Sequence, residues 1–301
     1  MDIVTHALMG VAVAGPCLVS APSASAGFIL GSVLPDIDAF SRVFGKRCFL
    51  TWHQTFTHSA GAMLVVVAAA MVGTLVDYEI SYLLLGISAG MLFHSLLDFT
   101  NTFGVKLWYP FHSKRVCLEW VFFIDSIVIG LTILALTVLA WSIATLTGPS
   151  IWQSILYLVS LAIYFGFKGL LRKRALRQMN PKVLSLIPSA FWPWRFMGYR
   201  RENEKNVQLI DYNALRRSIE NMVQVPILDD RWQDVLNASK YFQTMKQLST
   251  GYHVVEERKQ SDGGFLIRCR DLRTRNFGTT FGELEVYVNS QGEIISQTLK
   301  V

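Results

Sequence analysis

The sequence predicts a mainly α protein: a polytopic helical membrane bundle of about six helices, followed by a small soluble α+β module. Three observations carry this. Residues 1–171 are strongly apolar and nearly neutral, with seven Lys/Arg and eight Asp/Glu. Residues 172–301 hold the other 21 Lys/Arg and 14 Asp/Glu, a net charge of +7. The last fifty residues alternate apolar and polar positions between turn signals, the period of half-buried strands. The expected organisation is a helical membrane domain over 1–175, an interfacial Trp/Pro-rich tether over 176–200 and a soluble tail over 201–301.

A spanning helix needs about 20 apolar residues, fewer inside a bundle. Residues 56–76, 81–99, 120–146 and 151–171 meet that standard. Residues 6–20 and 25–35 are shorter and rich in Gly and Ala, as in helices whose backbones approach closely, and Pro22 lies in the turn between them. Residues 7–19 with Ala24-Ser25-Ala26 imitate a secretory signal. The first basic residue, however, is Arg42, so no positive n-region exists and the segment reads as an uncleaved helix.

Basic residues set the expected sidedness. Arg42, Lys46 and Arg47 lie between the second and third helices, Lys106, Lys114 and Arg115 between the fourth and fifth, and Arg172, Lys173 and Arg174 after the sixth. With six helices all three groups fall on one side. The positive-inside rule makes that side cytoplasmic, with both termini there. The expected location is the cytoplasmic (inner) membrane.

Five of the six histidines precede residue 113, in the most lipophilic part of the chain. Ionisable groups in or beside membrane spans are costly and usually mark function. His94 and Asp98, at i and i+4, share a helix face and could chelate one ion or form a second-shell pair. Leu34-Pro35-Asp36-Ile37-Asp38 closes the second helix. Proline disfavours helix in the residue before it, so an extended stretch is expected, with Asp36 and Asp38 pointing the same way. The alternative is a turn with an Asx hydrogen bond. His53 is expected in the loop entering the third helix and His58 in its first turn, with Thr57 or Ser59 capping or orienting that start. His6 is alone on its helix, and Asp125 sits in an apolar run where it needs a cation or a donor. Glu119 and His112 read as interfacial, and Asn101 and Gly104 as a helix stop.

The topology would bring these residues to one depth on one face. Imidazole with carboxylate suits a borderline-hard divalent ion. The reading is therefore a metal site of Zn, Mn or Mg type at the membrane edge, held by His6, Asp36, His58, His94 and Asp98. Asp38, His53 and Asp125 are further ligands or groups working on the reaction. A carrier would place ligands near the midplane, often with a repeat. No repeat is evident, which argues against transport.

The four cysteines form no CxxC pair and suggest neither a disulfide framework nor a thiolate site. A basic tail beside a lipophilic half points to anionic lipid headgroups, and no nucleic-acid motif is present. Phe191-Trp192-Pro193-Trp194-Arg195-Phe196 reads as an interfacial segment. The tail is expected to hold helices over Asp211–Met222 and Arg231–Leu248. Strands are expected at Tyr252–Arg258, Gly264–Asp271, Gly282–Val288 and Ile294–Leu299.

Taken together, Met1-Asp2 with Thr5-His6, Leu34-Pro35-Asp36-Ile37-Asp38, His53 with Thr57-His58-Ser59, His94 to Asp98 with Asn101 and Gly104, Pro110-Phe111 and Ile124-Asp125 resemble the LexA-regulated, membrane-bound metal-dependent hydrolases. The resemblance covers about residues 1–171, plus Pro188–Trp194. One departure is Gln54, where the family usually carries an Arg. The resemblance implies a hydrolase using a divalent metal at the cytoplasmic membrane surface; a site at that depth points to membrane lipids as partners, with their phosphoester or acyl bonds as the expected substrates. Two rivals stand beside it: a non-catalytic metal-binding scaffold or cation carrier, and a tail that senses lipid or binds a partner while the membrane half anchors it.

Overall fold

The computed structural model describes residues 1–112, 114–179, 183–201, 203, 206–226, 232–249, 251–272 and 282–300. Seven helices come first: α1 (Ile3–Ala14), α2 (Pro22–Gly31), α3 (Lys46–Trp52), α4 (Ala60–Gly73), α5 (Tyr78–Thr100), α6 (Ser126–Ala144) and α7 (Ile151–Gln178). Strands β1 (Val183–Pro188), β2 (Arg195–Arg201), β3 (Asn206–Asn213) and β4 (Ser218–Pro226) follow. Then come α8 (Gln233–Asn237), α9 (Lys240–Leu248), β5 (Tyr252–Lys259), β6 (Phe265–Asp271), β7 (Glu283–Val288) and β8 (Ile294–Lys300). Two compact units result, and they do not follow chain order. The first is Met1–Ser41, Trp52–Leu170 and Pro188–Pro193; the second is Arg42–Thr51, Leu171–Ile187 and Trp194–Val301.

Three helices, α5, α6 and α7, are long and apolar enough to cross a membrane. Ile133, Leu134, Leu156 and Ile163 on α6 and α7 are more than half exposed, as lipid-facing side chains are. The expected third span is only 14 residues as α4. The first two apolar segments are shorter still, 12 residues in α1 and 10 in α2.

In the first unit α2 and α5 pack backbone against backbone. Gly27 and Gly31 on α2 meet Gly86 and Gly90 on α5. A Cβ at Gly31 would lie 2.1 Å from the Ile87 carbonyl oxygen, and one at Gly90 2.2 Å from that of Phe28. Paired Gly-x-x-x-Gly stretches permit this approach. It brings the end of α2 against the part of α5 that carries His94.

The expected extended stretch at Leu34–Asp38 is instead a 3-10 helix over Leu34–Phe44. Proline restrains the residue before it, but Pro35 itself sits in the first turn, where its missing N–H costs nothing. Asp36 and Asp38 therefore do not share one direction. His58 also differs from expectation: it precedes α4, whose N-cap is Ser59 accepting from the Ala62 amide at 3.2 Å.

The second unit holds two four-stranded sheets in chain order, β1 to β4 and β5 to β8. The β5–β8 meander follows the alternation in the sequence, with antiparallel pairing throughout. The helix expected over Asp211–Met222 is a β3–β4 hairpin instead. Asn213 Oδ1 accepts from the amides of Leu215 and Arg216 at 3.1 Å, and Arg217 takes a left-handed φ of 57°. This turn chemistry overrides the helix propensity of Ala214-Leu215-Arg216. The expected second helix divides into α8 and α9 at Ser239, which caps α9; its expected start at Arg231 lies outside the described residues. A core of Trp232, Phe242, Tyr252, Ile267, Leu284 and Val286 packs under the second sheet.

Candidate metal centre

Asp36, His58, His94 and Asp98 each turn one ligand atom toward a common point, with all four atoms within 4.8 Å of one another. The two Nε2 atoms are 3.0 Å apart. Asp36 Oδ1 is 3.6 Å from each of them, and Asp98 Oδ2 is 3.6 Å from His58 Nε2 and 3.7 Å from His94 Nε2. A tetrahedral ion with bonds of about 2.1 Å has ligands about 3.4 Å apart, so the spacing fits a single cation. His58, His94 and Asp98 are fully buried and Asp36 nearly so.

The tautomers can be read from the outer contacts. His94 Nδ1 lies 2.8 Å from the Ser32 carbonyl oxygen, which can only accept, so Nδ1 carries the proton. Thr57 spends its hydroxyl hydrogen on Asp38 Oδ2 at 2.6 Å and so accepts from His58 Nδ1 at 3.1 Å. In their neutral forms both rings turn a bare Nε2 lone pair inward, toward two carboxylates. Four electron-pair donors facing one another in a buried space repel unless a cation sits among them. Outer carboxylate and carbonyl partners of this kind orient metal-binding imidazoles generally.

The ionisation of the pocket tells the same story. Burial works against charge at His58, but the carboxylates of Asp36, Asp38 and Asp98 outweigh it and lift the imidazole to about 10. Burial likewise opposes ionisation of Asp36, yet the imidazoles of His58 and His94, each 3.6 Å away, hold it well below the usual carboxylate range. Asp38 is held down in the same way by His53 and His58. The pocket draws positive charge, whether as protons or as a metal ion.

The other residues singled out in the sequence fall in three places. His6 stacks on His94 with centroids 3.6 Å apart, and its Nε2 is 3.2 Å from Asp98 Oδ1, the oxygen turned away from the four-donor group. Its Nδ1 is buried with no hydrogen-bond partner. The Met1 amino group pairs with the same Asp98 oxygen. Asp38 and His53 form a dyad at the edge, with Nδ1 to Oδ1 at 2.6 Å, and the His53 and His58 rings are 6.2 Å apart. Asp125 is not in this group. It caps α6 by accepting from the Ile127 and Val128 amides and takes the Tyr164 hydroxyl at 2.8 Å. Beside it, Ser126 N donates to the Ala190 carbonyl at 2.9 Å, which ties the Pro188–Pro193 segment to the start of α6.

Three contributors escaped the sequence reading or were read otherwise. Asn101, a helix stop, also donates to Asp98 Oδ1 at 2.9 Å while its own oxygen accepts from the amides of Phe103 and Gly104. Gln54 donates from Nε2 to Asp98 Oδ2 at 3.1 Å. Arg115, counted above only as a loop charge, donates from Nη1 to Gln54 Oε1 at 2.8 Å and from Nη2 to the His53 carbonyl at 2.8 Å. The one available signal was the departure at Gln54, a neutral amide among charged neighbours.

A profile of the YdjM inner membrane protein family matches residues 1–175, the stretch that contains every donor above. The uncharacterized protein YfhP of Bacillus subtilis (strain 168) is 26% identical over 211 residues, covering 65% of this chain and 64% of that protein. The chain thus spans just under two thirds of that relative's length. No solved structure matches. These likenesses carry membrane location and no activity. With the profile covering more than half of the chain and three apolar helices long enough to span, this is an inner membrane protein that belongs to the YdjM family.

Proposed function

We propose that this protein is a membrane-bound, metal-dependent hydrolase whose site lies at the cytoplasmic face and acts on phosphoester or ester bonds of lipids. The bundle would cross the membrane several times, with about six apolar segments and both termini in the cytoplasm. The observation that carries the reading is the inward convergence of two bare Nε2 atoms and two carboxylates within 4.8 Å. Asp36, His58, His94 and Asp98 would hold the ion, with His6 close enough to join through Asp98. Imidazole with carboxylate suits zinc or manganese, with magnesium the less favoured choice. Such an ion, when bound, polarises the scissile bond and acidifies a water molecule.

The chain's own residues supply the proton handling. Asp38 holds His53 Nδ1 at 2.6 Å, so the proton moves at His53 Nε2. Asp38 also accepts from Gln54 N at 2.9 Å and from Thr57, which keeps it an orienting carboxylate. A largely buried imidazole, about a quarter exposed and backed by a carboxylate, is suited to general acid–base work. Asp125 takes no part in this scheme: its oxygens are committed to Tyr164 and the start of α6.

One observation favours the rival scaffold. Four protein donors complete a tetrahedron, and closed tetrahedra are the mark of structural zinc. An ion that accepts five or six ligands keeps room for water and substrate. The test is metal analysis of the purified protein beside Asp36→Ala and His94→Ala, followed by a screen of phosphoester and acyl-ester lipids. Stoichiometric metal lost in both variants, with turnover that follows metal, supports the hydrolase. Tightly held metal with no turnover on any substrate supports the scaffold, and protein without metal defeats both.

A further inference from the structure

We propose that Arg115 is an anion-binding arm of this site, taking a phosphate-type group whose remaining oxygens face the four-donor pocket. The position of the pocket's ion rests on the hydrolase reading above; the anion-binding role of Arg115 is tested separately from it.

The chain fixes Arg115 firmly. Val105 and Val116 pair as an antiparallel bridge, with backbone bonds of 3.0 and 2.9 Å in the two directions. Gly104 turns the chain into that bridge with φ +68°, and a Cβ there would meet the Val116 carbonyl oxygen at 2.5 Å. The guanidinium then donates to three acceptors, Gln54 Oε1, the Gly104 carbonyl and the His53 carbonyl. All three are neutral. Among the described residues no carboxylate forms an ion pair with it, and its Nε is buried with no partner. Burial lowers Arg115 to about 10, against the weaker pull of Asp38 and Asp98, so it remains cationic at neutral pH.

A cation held out of water with neutral partners and unused donors is costly unless an anion completes it. Three of the five guanidinium N–H groups are used, which leaves one on Nη2 and the buried, unpartnered Nε–H. The planar fork matches phosphate oxygens better than any other side chain does.

Gln54 links this cation to the pocket. Its Oε1 takes Arg115 and its Nε2 gives to Asp98 Oδ2. Those contacts keep Arg115 within roughly 8 Å of Asp98, so an oxyanion held on the guanidinium beside Gln54 would lie next to the four-donor group. Gln54 is also held at φ 59°, an unusual backbone for a residue with a side chain. Strain of this kind persists where the surroundings impose it, and it gathers at ligand clamps. Its amide N–H is pinned to Asp38 at 2.9 Å, so the strained residue is tied to both the dyad and the pocket.

The experiment measures inorganic phosphate binding by calorimetry on the full-length protein in micelles, with and without added manganese. Wild type is compared with Arg115→Gln and Arg115→Lys, and metal content is read on the same samples. The expected result is metal content unchanged, phosphate affinity lowered at least about tenfold in Arg115→Gln, and partial recovery in Arg115→Lys. Phosphate affinity equal in all three proteins, or no phosphate binding by wild type, overturns the proposal. Wild type without metal that still binds phosphate through Arg115 defeats the hydrolase reading and leaves this one standing. A parallel arm uses phosphatidylcholine vesicles with and without phosphatidic acid. Arg115-dependent binding that is tighter to phosphatidic acid than to inorganic phosphate assigns a lipid headgroup; equal binding assigns a free phosphate compound.

Discussion

The Nε2 atoms of His58 and His94 face each other 3.0 Å apart, each made a bare lone pair by what its other ring nitrogen touches. A proton or a metal ion must lie between them. Metal binding should therefore release protons and strengthen as pH rises. Replacing either His94 or Asp36 by Ala removes one of four donors, and we expect a larger loss of metal affinity than the roughly 10–100-fold that an outer-shell change costs. Metal-to-protein ratios after dialysis against a weak chelator measure this. Wild-type ratios in both variants would show that the ion sits elsewhere.

Asp38→Asn separates the proposed outer role of Asp38 from the proposed ligand role of Asp36. It leaves all four pocket donors in place and weakens the hold on Thr57 and His53. The expected outcome is metal affinity reduced about 10–100-fold but not abolished. Competition against a chromogenic chelator reads it, and an affinity within twofold of wild type would make the Thr57 relay irrelevant.

Gly31→Ala tests whether the glycine contact between α2 and α5 positions the site. The added methyl would stand 2.1 Å from a backbone oxygen, which cannot swing aside as a side chain can. Overpacking of this kind costs about 1–3 kcal/mol or more. Thermal stability and metal content should fall together, because Ser32 and His94 move apart. A variant as stable as wild type, with full metal, would contradict the packing.

Asp125→Ala should behave in the opposite sense. It deletes an N-cap and the acceptor of Tyr164, at a cost of about 1–2 kcal/mol for the cap alone. Metal content should stay at the wild-type ratio while the melting temperature drops. Loss of metal in a folded Asp125→Ala protein would return Asp125 to the site.

Glu283 gives the second unit an acid-sensitive point. Burial opposes its ionisation, but Lys300 at 2.8 Å and Arg270 hold it below the usual range. Its contribution is then complete above the unfolded value of about 4.3 and is lost as pH falls through the lower folded value. Glu283→Gln should cost about 1–2 kcal/mol at pH 7 and flatten the decline on the acid side. Amide exchange in β7 and β8 against pH follows this, and an unchanged acid profile would remove Glu283 as its cause.

Much of the site was legible in the sequence. Donor type pointed to a candidate metal site, and His94 with Asp98 share a face because four residues are about one helical turn. What escaped was the division of labour. Asp36 and Asp38 look equivalent in Leu34-Pro35-Asp36-Ile37-Asp38, yet the 3-10 helix sends one to the pocket and the other to His53 and Thr57. Arg115 looked like one charge among several in a basic loop, and only the Val105–Val116 bridge delivers it to Gln54. The β1–β4 sheet was missed in part because its β3–β4 turn carries good helix formers.

By itself, then, the sequence determined the local terms: apolar length in α5, α6 and α7, the glycine spacing, the cap residues, the strand period of β5–β8 and the chemical class of the donors. These depend on neighbours a few positions apart. The tertiary structure alone decided which oxygen of which aspartate faces the pocket, which histidine nitrogen keeps its proton, and that Asp125 serves α6 and Tyr164. Those choices depend on contacts between segments tens of residues apart, where a shift of one bond length changes a ligand into a bystander.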